Sequence, residues 1–354
     1  MTVKFLKAHK GDCFVISYAD SLGKNRNIII DSGMDGTYYN PSTNIYGELK
    51  TEIDNIKKRK EVVDLLILSH IDNDHICGFL KYFQMDSSAP SLVKEVWFNS
   101  GKLIAKKLNE QENKDLNIKL QTSDTVATGV TEGIAFEDFL IKHNIWKQDL
   151  ILEHQELEIH DAKFQILSPS VSQLKKLLKE YHEKTSDDVY TSAGSKDWNI
   201  GIKAFIDQER NSFRFTQDGS VKNGSSISFI LTINKHKFIF LADSHPKGVN
   251  ASLKRLGFDG KNPISVSFLK VSHHGSKANT NKEQIATIST KDYLISTDSS
   301  GHGHPNKRTL ARIIAQNPDA IFHFNYEHVR NGVFSESDRK DFTVRARITT
   351  EFNY

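Results

Sequence analysis

Short apolar runs alternate with amphipathic stretches along most of the chain. Residues 62–68 are almost continuously apolar, which predicts a strand buried on both faces. In residues 75–83 the apolar positions recur at helical spacing, which predicts an amphipathic helix. The residues between them are polar except for Ile71, so the pattern predicts a strand, a tight loop and then a helix.

The same alternation of strands and helices continues on both sides of this unit. Strands are predicted over residues 3–7, 13–18, 26–30, 95–99, 162–168, 226–233, 237–242, 265–271, 292–296 and 320–325. Helices are predicted around residues 49–56, 174–181, 249–256 and 306–316. This order predicts an α/β protein in which two sheets pack together with helices on their outer sides.

Two polar segments interrupt this pattern. Residues 102–160 are mainly helical by pattern but have a modest apolar stripe, so we interpret them as an insertion or cap. Residues 184–224 are long and polar, which predicts a loop or a mobile lid. We expect a single domain over residues 1–354 that carries both segments.

Composition indicates a soluble globular protein. Charged residues make up 26% and hydrophobic residues 38% of the 354 residues, and no apolar stretch of ~18 residues predicts a membrane helix. The first residues show no signal-peptide pattern, and two cysteines, Cys13 and Cys77, are too few for a disulfide framework. We therefore expect a cytoplasmic location. The net charge of +3 neither demands nor excludes nucleic acid as a substrate.

Four candidate metal ligands follow the predicted strand of residues 62–68 directly. They are His70, Asp72, Asp74 and His75. Burying imidazoles and carboxylates this close together is costly unless they share a cation. Nitrogen and oxygen ligands of this kind suit zinc, manganese or iron. The loop therefore predicts a divalent metal site, and the alternative is a polar loop without a ligand.

The motif His70-x-Asp72-x-Asp74-His75 resembles the His-x-His/Asp-x-Asp-His signature of the metallo-β-lactamase superfamily. The form with Asp in the third position resembles the soluble nuclease-like domain of ComEC-type DNA-uptake proteins. Two later motifs strengthen this resemblance: His273-His274-Gly275-Ser276 after a predicted strand, and Gly303-His304-Pro305. The resemblance implies an αββα sandwich that holds two divalent metal ions and acts as a hydrolase.

The resemblance also implies the ligands of two metal positions, with zinc or manganese as the metals. The first position would use His70, Asp72 and Asp243, and the second would use Asp74, His75, Asp243 and His274. Asp243 would bridge the ions, since one carboxylate between two cations offsets their repulsion. No third ligand of the first position is evident, and we interpret His154 and His160 as structural. The alternative is one tightly bound metal in the second position and one recruited with substrate.

Further residues around the metal pair are assigned from the same resemblance. Asp31 would orient the site through hydrogen bonds. Besides Asp74, the residues expected to act in catalysis are His273, which would face the substrate or support a ligand, and His304. The residues expected to support the site or contact the substrate are Asn223, Ser226, Ser276 and Lys277.

Some of these positions keep alternatives that involve no chemistry. Gly303-His304-Pro305 also fits a turn at the start of a helix, and Asp12 fits a turn cap better than a site residue. Lys270 is a weak candidate for a phosphate contact. The basic run of residues 57–60 fits a solvated helix end better than a phosphate track.

These observations favour a phosphodiesterase, and more specifically a nuclease. The implied mechanism has two cations that lower the pKa of a bridging water and hold it for in-line attack. Nucleic acid would then be the substrate, and protein partners are unknown. The alternative is a small-molecule hydrolase of esters, lactones or phosphodiesters, with residues 184–224 closing a small pocket. A non-catalytic binding module is a third hypothesis, against which the intact ligand set argues.

Overall fold

The structure is a computed structural model that describes residues 1–110, 129–183, 196–211, 214–341 and 345–354. Its strands are β1 (Thr2–Phe5), β2 (Phe14–Ala19), β3 (Asn25–Ile30), β4 (Tyr39–Asn40), β5 (Ile45–Tyr46), β6 (Leu65–Ile67), β7 (Val96–Trp97), β8 (Glu156–Ile159), β9 (Ala162–Ser168), β10 (Ser228–Ile233), β11 (His236–Phe240), β12 (Ile264–Ser265), β13 (Phe268–Lys270), β14 (Ile288–Ser289), β15 (Asp292–Ile295), β16 (Ile321–Phe324), β17 (Arg345–Ile348) and β18 (Glu351–Asn353).

The helices are α1 (Glu48–Lys58), α2 (Asn73–Met85), α3 (Ala89–Leu92), α4 (Gly101–Leu108), α5 (Gly129–His143), α6 (Val171–Glu183), α7 (Ile202–Asn211), α8 (Val221–Gly224), α9 (Pro246–Arg255), α10 (Lys282–Thr287), α11 (Lys307–Gln316), α12 (Glu327–Val333) and α13 (Glu336–Asp341). Short 3₁₀ turns occupy Asp35–Thr37 and Ser272–Gly275. In the parts of the chain that the structure describes, none of the helices has both the length and the apolar character that a membrane crossing requires.

Most strands belong to two large sheets. The first has the order β18-β1-β2-β3-β6-β7, in which β3, β6 and β7 are parallel. The second has the order β17-β16-β15-β13-β11-β10-β9-β8, in which the strands from β17 to β11 are parallel. Parallel strands present their carboxyl ends at one edge of a sheet, where the following loops collect functional residues.

The two sheets pack face to face over an apolar core. Its members from the first sheet include Val3, Phe5, Phe14, Ile16, Ile28, Ile30, Leu65 and Ile67, and those from the second include Phe164, Ile166, Phe229, Leu231, Phe238, Phe240, Phe268 and Leu294. Because successive side chains of a strand point to opposite faces, the intervening residues point outward. There they pack under α1, α2, α5 and α6 on the first sheet and under α7, α9, α11 and α12 on the second. The predicted αββα sandwich is confirmed.

The two polar segments contain packed helices. In the first, α5 lies beside α2, with the rings of Phe136 and Phe79 6.1 Å apart. In the second, Ile202, Phe205 and Ile206 of α7 are buried in the core of the second sheet, so this part is a helix where the sequence predicts a loop or lid. Residues 111–128, 184–195 and 212–213 of these segments lie outside the described residues.

Candidate metal centre

The first group of candidate ligands lies where β6 gives way to α2. Asp72 is the residue before the first turn of the helix, and Asp74 and His75 lie within that turn. A carboxylate at a helix N-terminus is favoured because the helix dipole is positive there. The loop therefore sets its ligands with ordinary strand and helix geometry.

The second group comes from the loops after β11 and β13. Asp243 lies just past the end of β11, and His273 and His274 lie in the 3₁₀ turn Ser272–Gly275. Both histidines have a left-handed backbone, with φ of 47° and 52°, which costs of order 1–3 kcal/mol for a non-glycine residue. The backbone N–H of His273 donates to the carbonyl of Ala242 at 2.9 Å, and this bond helps to hold the turn against β11.

The two groups converge on the carboxylate of Asp243. Its Oδ1 lies 3.6 Å from Nε2 of His75, and its Oδ2 lies 3.9 Å from Nε2 of His70 and 3.6 Å from Nε2 of His274. Nε2 of His274 is also 3.4 Å from Oδ2 of Asp74. The structure thus brings residues from distant parts of the chain to one point.

The residues at this point fit a metal ion. Nε2 of His70, Nε2 of His75, Nε2 of His274 and Oδ1 of Asp243 are all buried without a hydrogen-bond partner. A buried polar atom normally has a partner, and a shared cation would satisfy these four ligand atoms around one carboxylate. Candidate ligand atoms of His70, His75 and Asp243 lie within 4.8 Å of one another, and so do those of Asp74, His75 and His274.

Asp72 stands somewhat apart from these groups. Its Oδ2 lies 3.7 Å from Nε2 of His70, but its Oδ1 faces Nζ of Lys222 at 3.6 Å. Among the described residues, the clusters of mutually close ligand atoms include neither Asp72 nor His273. Burial raises the pKa of Asp72 to about 6, and Lys222 opposes this shift.

Outer hydrogen bonds turn the imidazoles toward Asp243. Nδ1 of His75 donates to Oδ2 of Asp31 at 2.9 Å, and Nδ1 of His274 donates to the carbonyl of Ser296 at 2.8 Å. Asp31 also accepts from the backbone N–H and the hydroxyl of Ser69, both at 2.7 Å. Such bonds fix the ring orientation and leave each Nε2 free for a metal.

The centre concentrates buried negative charge. Burial would raise the pKa of Asp243, but the surrounding histidines, His274 first, lower it well below its usual value. Burial lowers the pKa of His70 to about 3, with His75 adding to the effect. For His75 itself, burial is outweighed by Asp243 and Asp31, and its pKa is raised well above the usual value. A divalent cation bound here would offset the negative charge of the buried carboxylates.

Asp12 and Lys270 adjoin the candidate centre, which the sequence did not predict. Asp12 is buried, pairs with the buried Nζ of Lys270 and lies 3.3 Å from Nδ1 of His274. The interpretation of Asp12 as a turn cap is therefore wrong, and so is that of Lys270 as a phosphate contact. The sequence holds no signal for this pair, because the two residues are far apart along the chain.

The expected supporting residues occupy different surroundings. Asn223 is buried and donates from Nδ2 to Oδ2 of Asp218 at 2.7 Å. Ser226 is fully buried, and its hydroxyl has no hydrogen-bond partner. Ser276 is buried and accepts from the backbone N–H of Ala278 at 3.3 Å, whereas Lys277 is exposed. Asp218 lies in the polar segment and carried no signal in the sequence.

Three other histidines that the sequence singled out are His154, His160 and His304. His304 is buried, its ring lies 4.9 Å from that of His273, and its Nδ1 has no hydrogen-bond partner. Burial and the neighbouring His273 lower the pKa of His304 well below its usual value. His160 lies 3.5 Å from Asp64 and His154 lies 3.5 Å from Glu153, so each has a carboxylate neighbour.

The basic run at the end of α1 pairs with acidic neighbours. Lys57 pairs with Asp86, and Nε of Arg59 lies 2.9 Å from Oε2 of Glu61. These contacts fit a helix end whose positive charges are balanced locally.

Comparisons with known proteins give likenesses of fold. No protein-family model matches the chain, and no curated protein matches it. Among solved structures, the metallo-beta-lactamase fold protein YhfI from Bacillus subtilis is similar, with 12% identity, a TM-score of 0.42, and coverage of 99% of this chain and 98% of that one. Zn²⁺-bound PqqB from Methylobacterium extorquens shows 8% identity, a TM-score of 0.41 and full coverage of both chains.

A third similar structure is CmlA, a diiron beta-hydroxylase from Streptomyces venezuelae, with 10% identity and a TM-score of 0.40. The alignment covers 99% of this chain but 53% of CmlA. Since all three TM-scores are below 0.5, the fold class rests on the chain's own sheets and helices.

Proposed function

We propose that the chain is a metal-dependent hydrolase of phosphodiesters, and more specifically a ComEC-type nuclease that uses two Zn²⁺ or Mn²⁺ ions. The observation that supports metal dependence is the set of buried, unpartnered ligand atoms around Asp243. His70, Asp72 and Asp243 would hold the first ion, and Asp74, His75, Asp243 and His274 the second. When bound, such a pair lowers the pKa of a water and stabilises negative charge on a phosphoryl oxygen.

The chain's own residues have distinct parts in this proposal. Asp31 holds the ring of His75 through Nδ1, and the carbonyl of Ser296 holds that of His274. The lowered pKa of His304 favours its neutral form, and its unpartnered Nδ1 can pair with a substrate or leaving-group oxygen. Lys222, beside Asp72, is placed to meet an anionic substrate group.

The support for a phosphodiester substrate is narrower than the support for a metal. It consists of the motif His273-His274-Gly275-Ser276 and of His304, whose ring stacks edge-on against His273 beside the metal groups. The two cysteines are free thiols, which fits a reducing compartment and the proposed cytoplasmic location.

A nuclease assay tests the proposal. Purified protein is incubated with plasmid and single-stranded DNA in the presence of Mn²⁺ or Zn²⁺, with Asp74→Ala as the matched inactive variant. We expect cleavage by the wild type and its loss in the variant. Absence of cleavage with both metals would contradict the nuclease, whereas cleavage of bis-p-nitrophenyl phosphate alone would indicate a small phosphodiester. Activity on acyl esters would indicate the alternative, a small-molecule hydrolase.

A further inference from the structure

The orientation of His273 is fixed by a chain of hydrogen bonds. Nδ1 of His273 lies 3.0 Å from Oδ1 of Asn279. Nδ2 of Asn279 donates to Oδ2 of Asp218 and to the carbonyl of Asp243, both at 3.1 Å. Because both of these groups are acceptors, the amide of Asn279 presents its oxygen to His273. Nδ1 of His273 therefore carries a proton and donates to that oxygen.

Asp218 reinforces this arrangement. Its Oδ2 accepts from Nδ2 of Asn223 at 2.7 Å and lies 3.6 Å from Nδ1 of His273, where a negative charge favours the proton. Nε2 of His273 lies on the opposite side of the ring, 3.6 Å from Oδ2 of Asp243. That distance is too long for a hydrogen bond, so the two atoms do not satisfy each other directly.

Three imidazoles share this geometry. His75, His273 and His274 each have Nδ1 bonded outward to a fixed acceptor. In each of them Nε2 lies 3.6 Å from a carboxylate oxygen of Asp243. Two ligands of one tetrahedral ion lie roughly 3.4 Å apart when both bonds are ~2.1 Å. The 3.6 Å between Nε2 of His273 and Oδ2 of Asp243 is therefore close to the distance between two ligands of one ion.

We infer that His273 is the missing protein ligand of the first metal position, and that Asp218 and Asn279 are its positioning residues. Of the two carboxylate oxygens of Asp243, Oδ2 lies 3.6 Å from Nε2 of His273 and 3.9 Å from Nε2 of His70, and it also lies 3.6 Å from Nε2 of His274. An ion bound to this oxygen would draw one imidazole, His70, from the loop after β6 and another, His273, from the loop after β13. The inference rests on the proposed two-metal centre and is independent of the substrate.

Metal titration tests this assignment with a matched pair of variants. His273→Asn removes the ligand, and His302→Asn changes an exposed histidine of a neighbouring loop. Both positions have a left-handed backbone, with φ of 47° and 45°, which Asn tolerates. Calorimetry with Mn²⁺ and elemental analysis should give two ions for the wild type and for His302→Asn. For His273→Asn they should give one tight ion, with the other weakened by at least about 10-fold.

Asp218→Asn tests the positioning role. It should weaken binding of the same ion by roughly 10-fold and leave the affinity for the other ion unchanged. The inference is overturned if His273→Asn binds two ions with wild-type affinity, even when hydrolysis falls, since His273 would then face the substrate. A wild type that binds two ions but cleaves no phosphodiester contradicts the proposed function and leaves this inference intact.

Discussion

The two loops that supply the candidate ligands reach the same point by different means. The loop after β6 uses regular geometry, because Asp74 and His75 lie in the first turn of α2. The loop after β13 places two consecutive histidines in the left-handed region, at φ of 47° and 52°. A conformation of that kind persists only when its surroundings impose it. The first loop is therefore specified locally, and the second depends on contacts from elsewhere in the fold.

Breaking the buried ion pair between Lys270 and Asp12, next to the second loop, should have the largest effect on stability. Lys270→Met leaves the buried carboxylate of Asp12 without its cation, and breaking such a pair costs about 3–5 kcal/mol of unfolding free energy. Denaturant unfolding of the metal-free protein measures this loss. Lys291→Met, at an exposed position, serves as the control and should change stability by less than about 0.5 kcal/mol. Equal stability of the two variants would show that the second loop does not depend on this pair.

Glu137, a buried acid in α5, should make the stability of the protein depend on pH. Burial raises the pKa of Glu137 from 4.5 to about 7. The folded chain therefore keeps a proton that the unfolded chain releases, and stability falls as the pH rises from about 4.5 through 7. Because Gln does not ionise, the unfolding free energy of Glu137→Gln should rise relative to that of the wild type over this pH range. The gain should reach on the order of 2–3 kcal/mol at its upper end.

Unfolding curves at several pH values check this sign. The exposed Glu158→Gln should follow the wild type at every pH. A constant difference between Glu137→Gln and the wild type across the pH range would contradict the raised pKa.

Changing Asp31, the carboxylate that orients His75 of the first loop, should have a smaller effect. Asp31→Asn weakens the bond that holds Nδ1 of His75, and loss of such an outer contact costs about 10–100-fold in metal affinity. Asn suits the backbone of residue 31, whose φ is 54°. Competition with a chromophoric chelator measures the affinity. The control is Asp161→Asn, which changes a carboxylate that caps a surface turn and should leave the metal affinity unchanged. If Asp31→Asn also kept the wild-type affinity, the ring of His75 would not need the hydrogen bond to Asp31.

The sequence predicted what depends on neighbours along the chain. The apolar run before His70 and the helical spacing after His75 were enough to place a strand, a loop and a helix. The two-sheet sandwich also followed from the order of such units. The contacts of Asp12, Lys270 and Asp218 could not be predicted, because their partners are distant along the chain and no local pattern marks them. The helix α7 was missed because its four buried positions are embedded in a polar segment.

In the proposed centre, residues from both loops hold a pair of divalent cations around Asp243. A crystal structure of the protein grown with Mn²⁺, with anomalous scattering recorded for manganese, tests it most directly. We expect two anomalous peaks about 3.5–4 Å apart, each at bonding distance from one oxygen of Asp243. No ordered manganese at Asp243, or ions bound without contact to His75 and His274, would contradict it.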